Sequence, residues 1–319
     1  MLTRALAILL LCVCLPAGAL AQTTKLRVST NQNIDAAAFE AAKANGYFAE
    51  EGLEIDTTPV VGGAVGLPAV AAGQVQIAAS NLITIVLGVK NGLPFKIIAA
   101  GDASSSAPPD LAGVAAKPES GIKSGKELEG KRLAVNTRNN IIWMFARAWV
   151  EATGGDLRKV SFIEVPFPQM VDAIRQGRAD AAFIVEPFLS VGLKSKEIEV
   201  IGWPYATVLK NAPISQWVAS KTYIDQNPQV IDKFVRAYNR GTDWINENNR
   251  NEKWVSLISG YTRIAPDIVR TAATPLFVKS MDVGQIEKSI ELMRKHGLLQ
   301  AGDRIDVPGL LYRTVASQK

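Results

Sequence analysis

Histidine and cysteine are almost missing from this chain. Its 319 residues include one histidine, His296, and two cysteines, Cys12 and Cys14. The usual zinc cages need three or four such ligands and are excluded. Most histidine-based acid–base catalysis is excluded with them. His296 stands before Gly297 at the end of a helical pattern, a place suited to the last carbonyls and the negative end of the helix dipole. A strong charge bias is also lacking: the formal net charge is +5 and the basic residues are dispersed, so there is no patch for nucleic acid. Beyond the N-terminus no apolar run is long enough to cross a bilayer, which takes about 20 residues. No Walker A loop, dinucleotide fingerprint, nucleophile elbow or zinc helix occurs. Gly62-Gly63-Ala64-Val65-Gly66 lacks the Gly-x-Gly core, and Ser120-Gly121-Ile122-Lys123 reads as a turn rather than a catalytic Ser-x-x-Lys.

The N-terminus reads as an export leader. Arg4 precedes an apolar run from Ala5 to Leu15, and Pro16 breaks it. Ala19 and Ala21 supply the small residues of a cleavage site before Gln22, so residues 1–21 are read as a cleaved signal peptide. Leu11 and Val13, ahead of the cysteines, are larger than a lipoprotein signal favours. Both cysteines leave with the leader, so the mature chain is expected to have neither thiol nor disulfide and to depend on its core. The 48% hydrophobic content is ample for that.

The mature chain alternates strand and helix. Leu26–Ser29, Leu53–Asp56, Val75–Ala79 and Phe95–Ala100 read as strands, with helices ending at Asn45-Gly46, running from Val65 to Ala72 and from Leu82 to Asn91. The pattern restarts with Ser124 as N-cap of a helix over Lys126–Glu129, strands at Lys131–Val135, Val160–Val165 and Ala181–Val185, and a helix from Ile141 to Ala152. After about Ser215 helices dominate. This predicts an α/β protein with largely parallel sheets. Several strands run into polar or glycine turns and then helix starts. In open α/β sheets that is where ligands sit, and helix N-termini there favour anions.

These segments resemble, in order, the periplasmic solute-binding proteins of ABC importers of the nitrate/sulfonate/taurine type, a family that also includes thiamine-pyrimidine binders. The resemblance rests on Ala44-Asn45-Gly46-Tyr47-Phe48 with Glu51-Gly52-Leu53, on Ala72-Gly73-Gln74-Val75-Gln76-Ile77-Ala78, on Lys126 to Val135, and on Gln176-Gly177-Arg178-Ala179-Asp180-Ala181 with Glu186-Pro187-Phe188. It implies a two-lobed type II periplasmic-binding-protein fold, with one lobe from residues 22–113 and 216–319, the other from 114–215, and a two-segment hinge. The ligand would lie between the lobes, against Asn31, Gln32, Asn33, Gly62, Gly63, Ser80 and Asn81 from the first and Asn136, Thr137, Arg138, Asn139, Asn140 and Glu186 from the second. Arg138 could fork onto a carboxylate or sulfonate. Glu186 could bind a ligand amine, pair with Arg138 or brace the hinge, and Trp143, Trp203 and Trp217 could wall a planar ligand. The expectation is a monomeric, non-enzymatic periplasmic receptor without cofactor. It would pass a small, anionic organic solute to an inner-membrane ABC permease. A thiamine-pyrimidine-like or zwitterionic ligand is the alternative, and an enzyme or exported sensor on the same fold is the competing class.

Overall fold

A computed structural model describes residues 23–60, 63–313 and 315. The leader at 1–21 and Gly62 lie outside the described residues.

The chain enters a first sheet through β1 (Thr24–Asn31), β2 (Leu53–Val60), β3 (Ile77–Asn81) and β4 (Phe95–Ala100), then passes through a short β5 (Asp102–Ala103). A second sheet takes β6 (Ala112–Ala116), β7 (Arg132–Val135), β8 (Ser161–Glu164), β9 (Ala181–Val185) and β10 (Glu199–Gly202). The chain then returns through β11 (Ser215–Ser220) to the first sheet, and β12 (Leu276–Phe277) pairs with β5. The sheet orders are β2-β1-β3-β11-β4 and β10-β6-β9-β7-β8. Read from the other side, the second is β8-β7-β9-β6-β10, the same winding as the first.

In each sheet one strand runs against the other four. β11 is antiparallel to both β3 and β4, and β6 is antiparallel to both β9 and β10. These two strands are the ones that cross between the halves. The two crossings are tied side by side. The Ile214 amide donates to the Asp102 carbonyl at 2.9 Å and the Ser215 amide to Asp102 Oδ1 at 3.0 Å. Ser104 exchanges two bonds of 2.9 Å with Ala212. The result is a two-lobed α/β fold with a paired crossing, as expected, with one antiparallel strand per sheet as refinement.

The helices follow their caps. Asn81 accepts from the Thr84 amide at the start of helix Leu82–Lys90, and Asn140 from the Trp143 amide at the start of helix Ile141–Ala152. The expected helix over Lys126–Glu129 is not formed. Residues 125–130 make a run of turns in which Leu128 and Glu129 donate only three residues back. Gly125 and Gly130 bracket the segment, and the Gly130 amide is committed to the Lys159 carbonyl at 2.7 Å. Ser124 still caps locally, accepting from the Lys126 amide.

Aromatic residues fasten the return strand to the first half. Trp217 on β11 stacks on Phe39 at 4.8 Å between centroids and meets Phe234 and Tyr238 edge-on. In the second half, packing is tight where β10 meets helix Ile141–Ala152: a Cβ placed on Gly202 would stand 2.3 Å from the Trp149 ring. A backbone strand and a buried indole cannot both yield at so short a distance. Gly202→Ala should therefore destabilise the fold by about 1–3 kcal/mol. Thermal unfolding checks this, and an unchanged melting temperature would show that the indole moves freely.

Candidate functional site

The site lies where the strand ends of the two sheets face each other. β1 delivers Asn31 and leads into the turn Ile34–Ala36, which carries Asn33 at its cap and Asp35 inside it. β3 ends at Asn81, and the loop after β7 brings Asn136 and Asn140 from the opposite half. Together with Leu111, Ile141, Ile142, Phe167, Val185, Tyr205, Ile214 and Ser215 they line an inner chamber of about 30 Å³. A second chamber of about 230 Å³ lies against it and shares Asn31, Asn33 and Phe167, adding Gln32, Val60, Pro168, Phe188 and Thr262.

The halves touch around these chambers. The Ile34 amide donates to the Glu186 carbonyl at 3.2 Å, and the Ala273 amide to Glu186 Oε1 at 3.2 Å. Lys194 pairs with Asp267 at 2.6 Å. Glu186 Oε1 also accepts from the Ser190 hydroxyl and Oε2 from the Ser190 amide. Glu186 therefore spans the two halves and faces neither chamber nor Arg138. Burial pushes its carboxyl up to about 7 against those three donors.

The inner chamber is polar and acidic. Asn33 Nδ2 donates to Asp35 Oδ2 at 2.8 Å, which sets the carboxamide so that its oxygen is left over. Asn33 Oδ1, Asp35 Oδ1, Asn31 Oδ1 and the Tyr205 hydroxyl are all buried with no hydrogen-bond partner. Tyr261 donates to the Asn33 carbonyl at 2.9 Å and holds that turn in place. Burial pushes the Asp35 carboxyl up to about 6, the bond from Asn33 opposing it. Behind it Asp102 is pushed well up by burial and by the neighbouring Asp35 charge, and burial pushes Asp110 up to about 6. Among the described residues lining either chamber there is no lysine, arginine or histidine.

Of the residues marked from sequence, Asn31, Asn33, Asn81, Asn136 and Asn140 meet in the inner chamber and Gln32 in the outer one. Thr137 accepts from Asn140 Nδ2 at 2.8 Å and supports it. Asn139 takes the left-handed backbone, φ 56°, that turns the chain into the helix. Ser80 is fully buried within β3, and Gly63 begins helix Gly63–Ala71. Arg138 points elsewhere: its amide donates to Glu164 and its guanidinium to the Phe162 carbonyl at 2.6 Å, along β8. No tryptophan lines either chamber. Trp217 is core, Trp143 lies under Arg147, and Trp203 packs beside Gly113. Asp35, Phe167 and Tyr205 were not expected. Asp35 sits in an alanine-rich helical stretch, and no motif sets Phe167 or Tyr205 apart in the sequence.

Two mirrored sheets, crossing strands and a polar chamber at facing strand ends define the fold of periplasmic solute-binding proteins. A family model described as NMT1/THI5 like matches residues 33–251. The chain belongs to the NMT1/THI5-like family. It is 25% identical over 210 residues to the formylaminopyrimidine-binding protein of Halalkalibacterium halodurans, a match spanning 64% of this chain and 60% of that relative's length. The alkanesulfonate-binding protein SsuA of Xanthomonas axonopodis pv. citri, solved with MOPS, superposes with a TM-score of 0.77 at 13% identity, covering 92% of this chain and 99% of that one. The nitrate-binding protein NrtA of Synechocystis PCC 6803 gives 0.75 at 14% identity, covering 88% and 83%.

Proposed function

We propose that this protein is the exported, non-enzymatic solute-binding component of an ABC importer. Its solute is small and planar, rich in N–H groups and uncharged or cationic, of the aminopyrimidine kind. The observation that carries this reading is the set of orphaned acceptors in the inner chamber: Asn33 Oδ1, Asp35 Oδ1 and Asn31 Oδ1, with the Tyr205 hydroxyl beside them. A buried polar atom left unpaired costs about 1–3 kcal/mol, and a ligand bringing N–H donors removes that cost. A sulfonate or nitrate brings only further acceptors to a chamber that already holds an aspartate and offers no cationic side chain among its described residues. The formylaminopyrimidine-binding relative supports the same choice. The two lobes would close on the solute and present it to a membrane permease, with the leader at 1–21 sending the chain to the periplasm.

The test is a ligand panel read by thermal shift and calorimetry: 4-aminopyrimidine and N-formylaminopyrimidine against taurine, an alkanesulfonate and nitrate. A cognate solute at a hundred times its Kd adds about 2.7 kcal/mol of stability. The aminopyrimidines should raise the melting temperature and the anions should not. Stabilisation by the anions alone would overturn the assignment.

A further inference from the structure

The inner chamber is too small for the ring of the solute proposed above. A cavity of about 150 Å³ is what takes up a benzene-sized ring, whereas this one offers about 30 Å³. The outer chamber, at about 230 Å³, is large enough. The two share Asn31, Asn33 and Phe167, so one solute can meet the orphaned acceptors and fill the larger space at once. The walls there are of a different kind. Phe167, Pro168 and Phe188 come from the second half and Val60 from the first. Neither phenylalanine has an aromatic neighbour among the described residues, although both are partly buried. Apolar walls next to a polar chamber suit a molecule with the same division.

We infer that the two chambers form one two-part subsite. The N–H-bearing edge of the solute enters the inner chamber, and its flat ring lies in the outer chamber against Phe167 and Phe188. The inference rests on the N–H-rich reading and adds that the favoured solute carries apolar ring surface beyond its polar edge. Phe188 is positioned for it by β9 and by the Pro187 that starts helix Phe188–Lys194. Phe167 is held between Pro166 and Pro168.

The experiment compares two probes with the same polar edge, 4-aminopyrimidine and 4-aminoquinazoline, which adds a fused apolar ring. Calorimetry on the full mature chain should find the quinazoline at least tenfold tighter. Phe188→Ala should bring the two within about threefold of each other by weakening the quinazoline more than the pyrimidine. Should Phe188→Ala fail to fold, Val60→Ser serves as a second, milder variant, with a smaller loss in the same direction. The wild-type comparison stands whatever the variants do. Equal binding of both probes, or weaker quinazoline binding, overturns the inference and leaves the N–H-rich reading in place. Binding of neither probe, with anions binding instead, overturns both.

Discussion

Asp35→Asn should weaken an aminopyrimidine by about 100-fold while leaving the fold intact. Hydrogen bonds to charged groups contribute about 1.5–3 kcal/mol, and Asp35 is the one carboxylate among the described residues lining the inner chamber. Its Oδ2 already serves Asn33, and its Oδ1 has no partner. An asparagine keeps the bond from Asn33 by turning its oxygen that way. It then presents an NH₂ where the solute needs an acceptor, so the chamber loses a charge and reverses polarity at one point. The free variant should be as stable as the parent or more so near pH 8, since a carboxyl raised to about 6 in the fold is costly to ionise there. Calorimetry and thermal unfolding on one sample separate the two effects. Full affinity in the variant would show that the carboxylate does not meet the solute. The same group sets a pH dependence. A solute that donates to ionised Asp35 favours the deprotonated form, so affinity should be flat above about pH 6 and fall below it.

The free protein should be more stable at pH 5 than at pH 8. Asp35 and Asp110 are raised to about 6, Glu186 to about 7, and Asp102 well above its ordinary value, with burial the leading cause in each. Between pH 4 and 7 the folded chain therefore binds more protons at these sites than the unfolded chain does, and stability falls as pH rises. The contribution is complete below the ordinary carboxylate range and is lost as pH passes through the raised values. Glu186, rising from 4.5 to about 7, accounts for about 3 kcal/mol of this at 1.36 kcal/mol per pH unit. His296, held down by burial, works in the opposite sense, one group against four. Asp156, held down to about 2 by Arg158, titrates below this window. Melting temperatures across pH 5–8 check the slope. Glu186→Gln should flatten it, because it removes a carboxyl raised to about 7. A protein that melts higher at pH 8 would show these carboxyls to be open to water.

Much of the fold was legible because its signals are local. Asn81 and Asn140 announce helix starts by chemistry that operates within four residues; Asn81 closes β3, Asn140 follows the turn after β7, and both fall in the chamber. The Lys126–Glu129 segment shows the limit. Its cap and composition suit a helix, but the long-range bond from Gly130 to Lys159 holds it as turns. The chamber was half legible for a similar reason. Arg138 promised an anion site because it precedes a helix, yet its amide is held by Glu164 and its guanidinium by the Phe162 carbonyl, along β8. The acidity of the site lies in Asp35, and what makes that residue special is burial against Asp102 and Tyr205, which no stretch of sequence displays. Phe167 is likewise visible as a ring but not as a shared wall.

The position of β11 has a consequence for how the molecule is made. It lies between β3 and β4, so the N-terminal sheet cannot be completed until residue 220 has left the ribosome. Every strand of the other sheet falls within residues 112–202, a contiguous stretch whose strands pair only with one another. The second half can therefore finish first, while the first half waits with the edges of β3 and β4 open to the wrong partner. Nascent chains halted before Ser215 should be the sticky ones, and a helper that shields bare strand edges would have its greatest effect in that interval.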